Sequence, residues 1–164
     1  MRKAHLEMAH AYWARHLQPS DTAIDATCGN GKDATYLLAL LPKGKVFALD
    51  IQLQAHAPEG VIFLHQCHTK LPEDPFLRLI VYNLGYLPGG DKTITTRAET
   101  TLKSVQLGFE RLPTGGALSI VCYPHEEGTR ESDALLTWAS VIPAKVEHHV
   151  FREGSPSFLW IVKL

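Results

Sequence analysis

The chain has few cysteines, no long apolar run and almost no net charge. Its three cysteines, Cys28, Cys67 and Cys122, lie far apart among 164 residues. An odd and sparse set argues against a disulfide framework and for a reducing compartment. The longest apolar runs are about strand length, too short to span a membrane as a helix. The opening "MRKAHLEMAHAYW" is too polar for a secretory leader. Formal net charge is −1, so a nucleic-acid partner would have to find a local basic patch rather than a basic molecule. There is no repeat, low-complexity tract or linker. What remains is the expectation of one cytoplasmic domain over residues 1–164. Its 45% hydrophobic and 20% charged content is ordinary for a globular core.

The apolar pattern alternates between the two regular periods. Leu6, His10, Trp13 and Leu17 fall on one helical face, and Pro19 stops that helix. "TAIDAT" (22–27) reads as a strand. Ala34, Leu37, Leu38 and Leu41 mark a helix closed by Pro42 and Gly44. Strands follow at 45–50, 61–66 and 77–83. Leu102, Val105, Phe109 and Leu112 mark a helix ahead of a fifth strand at 117–123. Leu135, Trp138, Ala139 and Ile142 mark another. "AKVEHHVF" and "SFLWIVKL" are two last strands joined by a hairpin-length loop. Strands interleaved with helices predict an α/β fold with a mainly parallel sheet of seven strands. The C-terminal hairpin is expected to supply one antiparallel strand, at the sheet edge.

The first strand runs into "DATCGNGKDAT". Asp25 stands at its end, then Gly29-Asn30-Gly31, then a helix start. Glycines there permit positive φ and close approach of backbone to a ligand, and the helix start offers free N–H groups. The dinucleotide fingerprint is incomplete, because residue 34 is alanine, and the phosphate-loop Gly-Lys-Ser/Thr is missing. Asp50, at the end of the second strand, is placed to accept both hydroxyls of a ribose. Two ligands fit this much: a nicotinamide dinucleotide or S-adenosylmethionine.

"VYNLGYLPGGDK" (81–92) separates them. Asn83-Leu84-Gly85-Tyr86 has the Asn-x-x-Tyr form of the amino-group methyltransferases, at the end of the fourth strand. An amide oxygen and the adjacent carbonyl can accept the N–H bonds of an amine and so aim its lone pair, and the Tyr86 ring can pack on the acceptor. Positioning of two reactants then supplies most of the rate. Asn83 and Tyr86 are therefore catalytic candidates. An alkylamine is mostly protonated at neutral pH, so a base or desolvation is also needed. Asp91, His125 and Glu126 lie near strand ends. A carboxylate beside the amine would hold it charged, which leaves His125 as the candidate proton acceptor.

The string "NLGYLPGGDKTITTRAETT", with "DATCGNGKDAT", "ALDIQ" and "HEEG" in the same order, resembles the bacterial rRNA methylase family over nearly the whole chain. Its members include the MnmM-type tRNA wobble-uridine aminomethyl methyltransferases. The resemblance implies a Rossmann-like class I methyltransferase that uses S-adenosylmethionine. It also implies methylation of the amine of 5-aminomethyl-2-thiouridine in tRNA. By the same resemblance Gly29, Asn30 and Gly31, beside Asp25, should hold the methionine end of the cofactor. Asp50 should hold its ribose, and Gln52 should lie along the adenosyl group. Cys67-His68 stands where the family has Ser-His, which makes both cofactor-pocket candidates. Asp91, Lys92 and Arg97, just past the motif, are substrate-binding candidates, and Lys103 and Arg111 could extend a basic face. Two departures are visible. Only Leu53 to Gly60 separate Gln52 from the third strand, so the usual crossover helix is truncated. The loop "YPHEEG" is shorter than the family's Tyr-x-Gly-His form.

Metal chemistry has little support. His65, Cys67 and His68 cannot converge from one strand, and no fourth ligand is evident. His148 and His149 are neighbours on a strand and must face opposite ways. No membrane association is expected, and a homodimer stays open.

Overall fold

The computed structural model describes residues 4–50, 57–84, 98–123 and 126–164. Its elements run α1 (Ala4–His16), β1 (Thr22–Asp25), α2 (Lys32–Leu40), β2 (Lys45–Asp50), β3 (Ile62–His65), β4 (Leu77–Leu84), α3 (Ala98–Arg111), β5 (Ala117–Cys122), α4 (Glu126–Ala139), β6 (Ala144–His149) and β7 (Ser157–Lys163). The seven strands form one sheet in the order β3-β2-β1-β4-β5-β7-β6. β1, β2, β3, β4 and β5 pair in parallel, whereas β7 is antiparallel to both β5 and β6. The antiparallel strand is thus present but is not the edge. β7 inserts between β5 and β6, and β6 forms the border. β7 is buried through Phe158–Ile161 and seeks an inner position, whereas β6 is largely solvated and can border the sheet.

The central strands are hydrophobic on both faces because helices cover both. β1 and β5 are buried at every position. Alternate residues divide between two cores. Ala23, Val46, Ala48, Leu79, Val81, Ala117 and Val121 pack with residues of α1 and α2. Ile24, Leu49, Ile80, Tyr82, Leu84, Leu118 and Ile120 pack with residues of α3 and α4. α1 buries His5, Ala9 and Trp13, a stripe turned one position from the Leu6–His10 line expected from the sequence. The anchor is polar as well as apolar: the Trp13 indole N–H donates to Ser119 Oγ at 2.8 Å inside the sheet face.

The chain turns from β1 toward β2 and β3 on one side and from β4 toward β5 on the other. The β1–β4 boundary is therefore the switch point, where the carboxyl ends of the strands leave a crevice for a ligand. The glycine turn after β1 and Asn83 near the end of β4 both stand there. Among the described residues no helix is long and apolar enough to cross a membrane.

Candidate active site

Strand parity puts four polar side chains on one face of this edge. Asp25 follows Ala23 on β1, Asp50 follows Ala48 on β2, and Asn83 follows Val81 on β4. Tyr123 follows Val121, one residue past β5. All four therefore emerge beside α1 and α2.

The turn after β1 is held from several sides. Gly29 and Gly31 have φ of 56° and 83°, the left-handed region in which a side chain is strained. Gly31 is the N-cap of α2 and offers no side chain to its first amides. The Cys28 N–H donates to Leu49 O at 2.8 Å, tying the turn to β2. The Gly29 N–H donates to Asp50 Oδ2 at 2.8 Å. Asp50 is thereby fixed at the turn before any ligand arrives. Asn30 is exposed at the tip, where its Oδ1 accepts from the Lys32 N–H at 3.2 Å.

Thr27 links this turn to the motif on β4. Its N–H donates to Asp25 Oδ1 at 3.2 Å, and its Oγ1 accepts the Asn83 N–H at 2.7 Å. One short chain, Asp25–Thr27–Asn83, therefore sets the two halves of the site relative to each other. The Asn83 amide oxygen is buried and has no hydrogen-bond partner among the described residues. An unsatisfied buried acceptor is costly, and it asks for a donor.

The electrostatics of the turn favour a cation. Asp25 is fully buried, and burial first, then the charges of Asp33 and Asp50, push its pKa well above the carboxylate range, against the bond from Thr27. Its Oδ2 has no partner among the described residues. The Cys28 thiol is pushed up to about 12 by burial and then by Asp25, Asp50 and Asp33, so it is no nucleophile. Asp33, in the first turn of α2, accepts from the His10 Nε2–H at 3.1 Å, and the His10 ring stacks on Tyr36 at 4.1 Å. That pair fastens α1 over the turn. The carboxylates of Asp33 and Asp50, with Asp25 able to ionise only beside a cation, would repel a pyrophosphate. They suit a ligand that carries positive charge there, as the sulfonium and α-ammonium of S-adenosylmethionine do.

His68 lies in the loop after β3, buried, with its ring edge-on to Tyr82 at 5.9 Å. Ser104 on α3 donates to the His68 carbonyl, and the Tyr82 hydroxyl bonds Ser104 at 2.8 Å. Burial lowers the His68 pKa to about 4, with Asp50 opposing weakly. The ring is neutral, and its Nδ1 is buried without a partner among the described residues. Cys67 beside it is half-buried. Gln52, Tyr86, Asp91, Lys92, Arg97 and His125 lie outside the described residues, as does most of the shortened segment between β2 and β3.

Two candidates for a basic face separate. Lys103 is exposed on the early part of α3. Arg111 ends that helix at the opposite border of the sheet, where it donates to Leu71 O and pairs with Glu73 at 3.6 Å. Sequence reasoning passed over Thr27, Asp33 and Tyr123. Thr27 and Asp33 stand inside the glycine motif and could have been flagged as its hydroxyl and its helix-start acid. Tyr123 opens the "YPHEEG" loop, but its place beside Asn83 follows only from the β4–β5 register.

The family model described as "Putative rRNA methylase" matches residues 46–155. A chloroplastic tRNA (mnm(5)s(2)U34)-methyltransferase of Arabidopsis thaliana is 35% identical over 167 residues. That match covers 87% of this chain, which spans 61% of the length of the plant protein. A crystal structure of a Clostridium thermocellum protein bearing the same family name superposes with a TM-score of 0.89 at 29% identity, covering all of both chains. A Streptococcus mutans protein described as a methyltransferase, in complex with SAH, gives 0.86 at 30% identity, again over all of both chains. With the sheet order of a Rossmann-like methyltransferase and a family match across most of its length, this chain belongs to the rRNA methylase family.

Proposed function

We propose that residues 1–164 form a single S-adenosylmethionine-dependent N-methyltransferase domain. Its acceptor is the amine of 5-aminomethyl-2-thiouridine at the tRNA wobble position, and its product is the 5-methylaminomethyl form. It acts in the cytoplasm. The observation that carries this reading is the buried amide oxygen of Asn83, without a partner among the described residues, on a residue whose N–H is held by Thr27 next to the acidic glycine turn. The Arabidopsis relative's name supports the tRNA acceptor, and the SAH complex of the Streptococcus mutans relative supports the cofactor.

The chain's residues divide the work. Asp50 accepts the ribose hydroxyls while staying bonded to the Gly29 N–H. Asp25, ionised when a cation sits beside it, would hold the positive methionine end of the cofactor at the Gly29–Gly31 turn. When bound, S-adenosylmethionine supplies a methyl carbon activated by its sulfonium and leaves as the thioether. Asn83 Oδ1 accepts one N–H of the amine, which turns the nitrogen lone pair toward that carbon. The amine must arrive neutral. An apolar, water-poor edge disfavours its charged form, and His125 is the candidate acceptor of its proton. After transfer the nitrogen carries the new methyl and sheds a proton as a secondary amine. Tyr86 packs on the acceptor, and Asp91, Lys92 and Arg97 hold the RNA around it.

The test is direct. Purified protein and S-adenosylmethionine are incubated with bulk tRNA lacking the final methyl and, in parallel, with ribosomal RNA, and the nucleosides are analysed by mass. One methyl gained on 5-aminomethyl-2-thiouridine supports the reading. A methyl gained on a ribosomal RNA base, with none on tRNA, would replace it with rRNA methylation, and transfer to neither would leave a small-amine N-methyltransferase or a non-catalytic nucleotide-binding module.

A further inference from the structure

An amide has two unlike ends, and the reading of Asn83 as the residue that aims the acceptor requires one of them. Oδ1 must face the amine. If the group flips, Nδ2 meets the amine with hydrogens of its own, and the lone pair is no longer steered. Oxygen and nitrogen are nearly isosteric, so shape does not choose between these states. Only the hydrogen-bond partners do. Something must therefore hold Nδ2.

Tyr123 is the residue in place to do so. Asn83 pairs with Val121 across the β4–β5 ladder. Two residues past Val121, Tyr123 emerges on the same face of the same edge. The Asn83 amide lies near enough to lower the phenol's pKa against the effect of burial, while Asn83 Oδ1 has no partner among the described residues. An amide lowers a phenol's pKa by donating to it, and only its nitrogen donates. The phenol is itself constrained. Tyr123 is half-buried, packs with the core beneath α1 and α2, and stands nearly perpendicular to the His5 ring at 6.0 Å between centroids. Burial and the nearby Asp33 carboxylate keep it protonated, so its oxygen remains a neutral acceptor at physiological pH.

We infer that Tyr123 is a positioning residue of the methyl transfer. Its phenolic oxygen accepts from Asn83 Nδ2 and locks the amide with Oδ1 toward the acceptor amine. Tyr123 touches neither the methyl carbon nor the amine in this arrangement, and it acts through Asn83. This rests on the proposed N-methyltransferase reading of the site.

The experiment is a double-mutant cycle in single-turnover methyl transfer to tRNA, with cofactor affinity measured in parallel on the same proteins. Tyr123→Phe keeps the ring and its packing and removes only the acceptor. It should slow transfer at least about tenfold, as loss of one hydrogen bond to a positioned group does, with cofactor affinity within about twofold of wild type. In the Asn83→Ala background, Tyr123→Phe should have no further effect, because there is no amide left to orient. In the Asn83→Asp background its penalty should shrink, since a carboxylate has no wrong end. Equal penalties in all three backgrounds would overturn the inference, and so would a wild-type rate for Tyr123→Phe. Wild-type protein that binds cofactor yet methylates no tRNA nucleoside would overturn the reading beneath it, a different failure from a silent Tyr123→Phe in an active enzyme.

Discussion

Replacing Thr27 by valine tests whether the two halves of the site are tied together by one hydroxyl. Valine keeps the branch at Cβ and nearly the volume, so the backbone preference after β1 is preserved. What disappears is Oγ1, the acceptor for the Asn83 N–H at 2.7 Å. The donor it abandons is partly buried at the end of β4. A buried donor left without its partner costs ~1–3 kcal/mol. For a chain of this length, 164 residues, each kcal/mol moves the melting temperature by ~2–4 °C. Thr27→Val should therefore melt about 2–12 °C lower, as followed by circular dichroism or calorimetry. The second consequence is functional. If Asn83 relaxes by about 1 Å, methyl transfer should fall up to about a hundredfold, while cofactor affinity changes far less. Thr27→Ser, which restores the oxygen, should recover most of both losses. A Thr27→Val protein that melts and turns over like wild type would refute the coupling.

Three other outcomes follow from the same geometry. Burial and its acidic neighbours raise the pKa of Asp25 in the folded protein. Between the unfolded and folded values the native state binds the extra proton, so this residue's contribution is full at low pH and is lost as pH rises through the folded value. The ligand-free wild type should accordingly lose more stability between pH 4 and 8 than Asp25→Asn, and cofactor binding should release a proton, read by calorimetry in buffers of different ionisation enthalpy; equal pH profiles and no proton release would remove Asp25 from the cation site. His68 has the opposite sign. Its folded value is lowered from 6.5 to about 4, so its contribution is present above 6.5 and lost as pH falls toward 4. The loss is on the order of 3 kcal/mol and should be absent in a folded His68→Gln protein, as checked by urea unfolding at pH 7 and pH 4. Because net charge is only −1, affinity for tRNA must rest on local cations and should fall steeply with salt. Lys103→Gln on the exposed side of α3 should flatten the log–log slope by about one if that side chain meets a phosphate, and an unchanged slope would move the RNA elsewhere.

The sequence made the strands and the ligand edge legible for local reasons. β1, β4 and β5 are short apolar runs bounded by turn residues, and their ends coincide with the glycine turn and with Asn83. Pairing was less legible, because hydrophobic period does not say which strand lies beside which. β7 therefore looked like an edge, when its fully buried centre places it inside β6. The rotation of α1 was hidden for a similar reason. Its buried stripe is fixed by a bond from Trp13 to Ser119, more than a hundred residues away. Thr27 and Tyr123 show the limit most clearly. Each matters through Asn83, and their proximity to it exists only once β1, β4 and β5 are side by side. By contrast, Asp25 and the Gly29–Gly31 turn were readable because a βα turn brings its own residues together, and Asp50 because it ends the strand that follows and pairs with β1.

The central claim is that Asn83 aims an amine rather than binding the cofactor. The measurement that tests it most directly compares wild type and Asn83→Ala in two assays on the same preparations: cofactor affinity by calorimetry, and methylation of 5-aminomethyl-2-thiouridine in tRNA by nucleoside mass analysis. The account predicts cofactor affinity within about threefold of wild type and a turnover reduced at least about a hundredfold, the signature of lost positioning. Turnover near wild type in a folded Asn83→Ala protein, or a loss of cofactor affinity that matches the loss of turnover, would contradict it.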